Sequence, residues 1–120
     1  MNIEDFRDYC LAKPGSSESF PFDKNTLVFK VMGKMFALVD VETYAYINVK
    51  CDPERAIRLR EEHMAVRPGY HMNKKHWNSV HMDGTIGDRL VRELVDHSYD
   101  QVVKGLSKAV RAELDLMRGE

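Results

Sequence analysis

The segment from His63 to Met82 combines residue types that can bind an anion. It holds four of the five histidines, the only tryptophan and several basic residues, and it contains no Asp or Glu. The whole chain has 19 acidic against 18 basic residues and a net charge of -1. A stretch without carboxylates concentrates positive potential that this overall balance conceals. The sequence therefore predicts an anion-binding surface within this segment.

The residue types in this segment match those that contact nucleic acids. Phosphates bind Lys and Arg, Asn and Ser side chains add hydrogen bonds, and aromatic rings stack on exposed bases. The candidate contacts are Arg67, Tyr70, His71, Asn73, Lys74, Lys75, His76 and Asn78, and Tyr46 is a further candidate for stacking. Three cations on three phosphates would give a salt slope of only about -3 on logarithmic axes. We therefore expect any binding to duplex DNA to be weak.

A purely structural role accounts for the same residues. Lysines at a hairpin tip protect sheet edges from aggregation on many soluble proteins, and Trp77 and Tyr70 are residues that commonly pack into a core. Residue by residue, the structural interpretation is the more common one.

The histidines and short motifs predict neither a metal site nor an enzyme. His71, His76 and His81 follow one another at intervals of five residues, but no carboxylate or cysteine accompanies them and the zinc spacing HxxxH is missing. The chain also lacks HExxH, a phosphate-binding glycine loop, GxGxxG and an EF-hand loop. We expect no catalytic residues, metal or cofactor.

Composition is that of a single globular domain spanning residues 1–120. Hydrophobic residues make up 43% and charged residues 31% of the chain, and no apolar run approaches the ~20 residues of a membrane span. The N-terminus has early acids and no basic region before an apolar stretch, so a secretory signal is not expected. Cys10 and Cys51 match no CxxC spacing, which favours reduced thiols. These features predict a cytoplasmic protein without a membrane partner.

The first half of the chain predicts one helix and three strands. A helix begins behind Asn2 and ends at Pro14-Gly15, followed by an irregular connection over residues 16–22. Alternation predicts a hairpin from Thr26 to Asp40, with the turn at Met32-Gly33 and with Phe36 and Leu38 both inward. In a third strand, from Tyr44 to Cys51, one face is apolar, and the other carries Tyr44, Tyr46, Asn48 and Lys50.

The second half predicts a helix, a hairpin and a final helix. Asp52-Pro53 starts a helix that runs to about Ala65. Strands over residues 66–72 and 77–82 flank a basic tip at residues 73–76. Thr85 and Asp88 form a capping-box pattern before a long helix to Leu106, and residues 107–117 add a short amphipathic segment. The order is helix, three strands, helix, two strands, helix, which predicts an α+β layer pair with antiparallel hairpins.

Several stretches together resemble the MmcQ/YjbR family of small bacterial proteins. They are the run from Pro68 to Val80, PGYHMNKKHWNSV, with Phe20-Pro21-Phe22, Gly33-Lys34-Met35-Phe36 and Ser98-Tyr99. The likeness spans nearly the whole chain. One departure is Phe22-Asp23-Lys24, where many relatives carry a glycine after the phenylalanine.

The resemblance implies a fold more directly than a function. It implies a two-layer α+β sandwich with an antiparallel five-stranded sheet, helices on one face, and an outline similar to secretion chaperones. It also implies DNA binding of a double-wing type, with the basic hairpin contacting phosphates. The alternative is a protein-interaction or self-association module that uses the open sheet face.

Overall fold

The computed structural model describes residues 1–119, which form four helices and six strands. In chain order these are α1 (Ile3–Leu11), β1 (Ser16–Ser19), β2 (Thr26–Val31), β3 (Lys34–Asp40), β4 (Tyr46–Lys50), α2 (Pro53–Glu62), β5 (Val66–Pro68), β6 (Trp77–His81), α3 (Asp88–Lys104) and α4 (Lys108–Met117). The strands form one sheet in the order β1-β2-β3-β4-β6-β5, and every neighbouring pair is antiparallel. The α+β fold class is confirmed.

All four helices pack on the same face of the sheet. A single buried core takes Phe6 from α1, Leu59 from α2, Val95 from α3 and Leu114 from α4 against Phe29 and other strand residues. Cys10 and Cys51 are buried and unpaired, and burial raises the pKa of the Cys51 thiol to about 11. The other side of the sheet, called the open face here, is not covered by any of the helices that the structure describes.

The predicted five-stranded sheet is wrong by one strand. Residues Ser16–Ser19, expected to be irregular, form the edge strand β1 and pair with β2. This strand has no apolar alternation because it is attached through its backbone and through an ion pair between Arg7 and Glu18.

A β-bulge changes which residues of β3 point inward. Phe29 pairs with Ala37 but Lys30 pairs with Met35, so Phe36 is an extra residue on β3. As a result Phe36 lies in the main core, whereas Leu38 packs on the open face with Val28 and Trp77. The prediction that Phe36 and Leu38 share a face is therefore wrong.

Two predicted boundaries also need correction. Helix α2 ends at Glu62 rather than near Ala65. The capping box at Thr85 does not form, because the Thr85 hydroxyl donates to Asp83 and the N-cap of α3 is Gly87, which provides no side-chain cap. The final segment is a regular helix, α4, capped by the hydroxyl of Ser107.

Candidate functional site on the open face

Strand register aligns polar and aromatic side chains across the open face. Leu38 pairs with Asn48, Asn48 with Ser79, and Ser79 with Arg67, which gives one row that runs to the edge strand β5. In a neighbouring row Tyr46 pairs with His81. Because side chains at paired positions lie on the same side of a sheet, these residues share the open face.

The connection between β5 and β6, residues 69–76, folds back over this face, and we call it the basic loop. The Nδ2 of Asn48 donates to the carbonyl oxygen of Tyr70 at 3.2 Å, and the backbone N–H of Tyr70 donates to the hydroxyl of Ser79 at 2.9 Å. Met72 packs on the cluster of Val28, Leu38 and Trp77. The antiparallel pairing of the second hairpin is confirmed. The strand predicted over residues 66–72 ends at Pro68, and the longer connection lies on the sheet instead of projecting as a wing.

The close approach of the basic loop depends on Gly69. A Cβ atom at this position would lie 2.8 Å from the Cβ of Trp77 and 3.0 Å from that of Met72. The next residues bend sharply, since His71 has a φ of 59°, in the left-handed region. The sequence Pro68-Gly69 thus permits the loop to lie flat where a larger residue would hold it away.

A groove of about 560 Å³ lies between the basic loop and the loop that joins β1 to β2. Met35, Leu38 and Asn48 contribute to its floor from β3 and β4. Tyr70, His71 and Met72 line one side, and Phe22, Asp23 and Thr26 line the other. Its volume falls within the range of small-ligand sites.

Aromatic rings meet at the edge of this groove. The ring centroids of Tyr46 and Tyr70 are 5.8 Å apart with planes at 89°, and those of Tyr70 and His71 are 4.0 Å apart. On its other side Tyr46 contacts His81 at 5.4 Å. Tyr70 is 56% exposed, so this cluster offers an accessible ring surface.

Two carboxylates, Asp23 and Asp40, also line the groove. The Oδ1 of Asp23 accepts the backbone N–H groups of Asn25 and Thr26, and these hydrogen bonds lower the pKa of Asp23. Asp40 lies near the phenol of Tyr46, whose pKa is raised first by burial and then by Tyr70 and Asp40. The groove itself is therefore acidic and aromatic, in contrast to the basic segment beside it.

The basic side chains lie outside the groove lining. Arg67 is exposed on β5. The pKa of His81 is lowered mainly by burial and secondly by the positive charge of Arg67. The Nζ of Lys74 donates to the carbonyl oxygen of Gly69 at 2.9 Å. Among residues 1–119, the ion pairs include none of Arg67, Lys74 and Lys75. These three cations therefore remain able to bind an external anion.

The prediction that Asn78 contacts nucleic acid is wrong. It is 1% exposed and faces the helices, where its Oδ1 accepts from the Nε of Arg60 at 2.9 Å and its Nδ2 donates to the carbonyl oxygen of Ala56 at 3.3 Å. Both ends of its amide are thus used internally. Asn78 supports the fold and is not accessible to a ligand.

The other candidate residues divide between the two sides of the basic loop. Tyr70, His71 and Asn73 line the groove, whereas Lys74, Lys75 and His76 do not. The side chain of Asn73 accepts the backbone N–H groups of Lys75 and His76 and thereby shapes the turn. The structure thus brings the aromatic candidates together and leaves the lysines beside them.

Sequence reasoning missed Asp23, Asp40 and Arg60. The two aspartates end or precede strands far from the basic segment in sequence, and only the sheet brings them to the groove. Asp23 did have a signal, since it is the residue at which the chain departs from its expected glycine. Arg60 gave no signal, because an arginine on an amphipathic helix is ordinarily exposed to solvent.

No group of three or more His, Cys, Asp or Glu side chains within residues 1–119 is arranged to hold a metal ion. The helices in this part of the chain also include none with the length and apolar character of a membrane span.

The fold and groove define a small α+β domain whose open face carries a ligand-sized cleft beside the basic loop. The chain belongs to the YjbR family, whose model matches residues 11–101. These residues include both sides of the groove and the whole basic loop.

Individual relatives agree with this assignment. The Escherichia coli K12 protein YjbR, described as uncharacterized, is 40% identical over 112 residues, which cover 92% of this chain and 95% of that protein. The crystal structure of Deinococcus radiodurans DR2400 is 45% identical with a TM-score of 0.88, covering 95% of this chain and 88% of that one. The crystal structure of a Pseudomonas syringae protein is 28% identical with a TM-score of 0.71, and the match covers 84% of this chain and 98% of that one.

Proposed function

We propose that this protein binds nucleic acid and that its ligand is a single strand laid on the open face. The observation that carries this proposal is the position of three exposed cations, Arg67, Lys74 and Lys75, beside the ring cluster of Tyr46 and Tyr70. None of the three forms an ion pair within residues 1–119. Cations that follow a backbone and rings that stack on bases are the two components of single-strand binding sites.

A single strand suits this face better than a duplex. Rings stack only on bases that are not already stacked in a helix. The basic loop lies against the sheet through Tyr70 and Met72 and so lacks the projecting shape with which a wing enters a duplex groove. Three phosphate contacts would leave duplex binding weak.

A titration with labelled oligonucleotides tests this proposal. We expect micromolar binding of a mixed-sequence single strand at low salt, weaker binding of the matching duplex, and a salt slope of about -2 for three contacts on a single strand. Replacing Lys74 and Lys75 together with glutamate is expected to weaken binding at least tenfold. The matched control replaces Lys104 and Lys108, two exposed lysines at the junction of α3 and α4.

Absence of binding at low salt would contradict nucleic-acid binding, and equal weakening by both double variants would contradict binding through Lys74 and Lys75. Circular dichroism of each variant establishes that the fold is retained.

A second candidate function is protein interaction, for which the exposed aromatics Phe20 and Phe22 provide the observation. They are 50% and 64% exposed in the loop between β1 and β2, and Phe22 lines the groove. Exposed aromatic residues around a cleft are typical of protein interfaces. Partner recovery from lysate that persists after nuclease treatment, and that is lost in Phe22→Ser, would favour this function over the first.

A further inference from the structure

We propose that the groove holds one base of the bound strand and that Asp40 selects a base with an exocyclic amine. This inference rests on the proposed function and extends it from the phosphate backbone to base recognition. The groove is lined by the carboxylates of Asp23 and Asp40, whereas the cations of the basic segment lie outside it. Carboxylates repel phosphates but accept hydrogen bonds from amines, so the two parts suit different portions of one nucleotide.

The size and lining of the groove suit a base. Its volume of about 560 Å³ is sufficient for a single nucleoside. The rings of Tyr46 and Tyr70 offer surfaces for stacking, and Met35 and Leu38 provide an apolar floor. Base stacking on aromatic rings by itself tolerates every sequence, so any preference has to come from polar atoms in the groove.

Of the carboxylate oxygens that line the groove, the Oδ2 of Asp40 is the one that accepts no hydrogen bond from residues 1–119. Its Oδ1 accepts the backbone N–H groups of Glu42 at 2.8 Å and Thr43 at 3.1 Å, whereas Oδ2 accepts no hydrogen bond within this part of the chain. In Asp23, by contrast, Oδ2 accepts the hydroxyl of Thr26 at 3.1 Å. The two backbone bonds fix the Asp40 side chain and thereby orient the remaining oxygen.

The other polar group of the floor is already satisfied. The Oδ1 of Asn48 accepts the hydroxyl of Ser79, and its Nδ2 donates to the carbonyl oxygen of Tyr70. Asn48 therefore holds the basic loop and offers little to a ligand. Among the carboxylate oxygens of the groove, the Oδ2 of Asp40 is therefore the acceptor left for a base. It attracts the amine of cytosine, adenine or guanine, and it repels the carbonyl oxygen that thymine or uracil presents instead.

Cytosine and uracil provide the sharpest comparison, because the two rings are equal in size and differ at the amine. We expect the native protein to bind a short deoxycytidine homopolymer about tenfold more tightly than a deoxyuridine homopolymer at neutral pH and low salt, the effect of one hydrogen bond to a charged group. This comparison requires no variant to fold.

Asp40→Asn assigns the preference to one atom. Asparagine keeps the Oδ1 acceptor for Glu42 and Thr43 but replaces Oδ2 with a donor. We expect the preference for cytosine to fall below twofold, because the amide group no longer accepts the cytosine amine and no longer repels the uracil carbonyl oxygen. Asp83→Asn is the matched control, because Asp83 likewise accepts a backbone N–H, that of Thr85, and lies outside the groove lining.

The outcomes separate this inference from the proposed function. Equal binding of both strands by the native protein, together with loss of binding in the Lys74 and Lys75 double variant, overturns base selection and leaves nucleic-acid binding intact. Titration with cytidine and uridine monitored by NMR is the second readout. Chemical-shift changes at Asp40 and Tyr46 that occur with cytidine but not with uridine support base selection by the groove, even if strand binding is absent. If the changes are equal for the two nucleosides or absent, and no strand binds, both base selection and nucleic-acid binding are overturned.

Discussion

The guanidinium of Arg60 on α2 donates from Nε to the Oδ1 of Asn78 on β6 at 2.9 Å. Its Nη2 donates at the same time to the carbonyl oxygen of Lys74 at 2.8 Å. One side chain therefore links the helical layer, the strand β6 next to the sheet edge, and the basic loop. The position of the candidate cations depends on a contact made from the opposite layer of the fold.

Arg60→Ala is expected to destabilise the protein by about 1–3 kcal/mol, because the Oδ1 of the buried Asn78 loses its donor. Urea denaturation measures this loss. Arg58 is exposed on the same helix, and Arg58→Ala is expected to change stability by no more than about 0.5 kcal/mol. Equal losses in the two variants would mean that the link between layers contributes nothing.

Gly69→Ala is expected to displace the basic loop, since the added Cβ meets that of Trp77 at 2.8 Å. Such overpacking costs about 1–3 kcal/mol, and the fluorescence of Trp77, the only tryptophan, should report the change. Gly105→Ala is the control, because the nearest atom to its added Cβ lies at an ordinary 3.5 Å. An unchanged emission spectrum in Gly69→Ala would contradict the close packing of the loop.

Ser98→Ala removes a buried bridge between α3 and the sheet. The Ser98 hydroxyl donates to the carbonyl oxygen of Phe36 and accepts the backbone N–H of Lys50. Both backbone groups lose their partner, and the expected cost is about 1–3 kcal/mol in thermal or urea unfolding. Ser17→Ala, at an exposed position on β1, serves as the comparison and is expected to stay near the native value. A stable Ser98→Ala protein would show that water replaces the hydroxyl.

Stability is expected to fall as the pH decreases below about 6.5, the ordinary pKa of histidine. Burial, followed by the charge of Arg55, lowers the pKa of His97, whose Nε2 accepts the backbone N–H of Asp52 at 3.0 Å. The unfolded chain therefore binds a proton more readily than the folded one. The contribution of His97 is complete above the unfolded pKa and is lost as the pH falls through the folded pKa.

Denaturation midpoints across this pH range test the histidine effect against His97→Gln, which keeps an acceptor but cannot titrate. The variant should show a smaller dependence on pH. Some dependence should remain, because burial and Arg67 also lower the pKa of His81. An identical pH profile for the native protein and the variant would exclude His97 as the source.

Periodicity predicted the parts of this fold that are buried on one side. The turn at Met32-Gly33 and the alternation of Leu27, Phe29 and Val31 were sufficient for the hairpin of β2 and β3, which is confirmed. Strand β1 was missed because Ser16–Ser19 has no apolar residue and is attached by backbone pairing. The hydrophobic pattern of a segment cannot reveal a strand that forms only because its backbone pairs with a neighbouring strand.

The site was predictable only where its residues are neighbours in sequence. The basic segment was visible as a charge pattern, and its three exposed cations are as expected. Asn78 looked equally polar, yet Arg60 holds it in the interior. Asp40 became part of the site only when the sheet placed it beside Tyr46. Tertiary pairing determines these features, and a single sequence does not encode them as a local signal.

The bulge at Phe36 has a consequence for how this site can vary among homologues. Because side chains alternate along a strand, one extra residue inverts the facing of every position on one side of it. A homologue with a single-residue deletion here is expected to exchange inward and outward positions on one part of β3. The deletion of one codon would thus change which side chains of β3 face the groove, although none of the remaining residues is substituted.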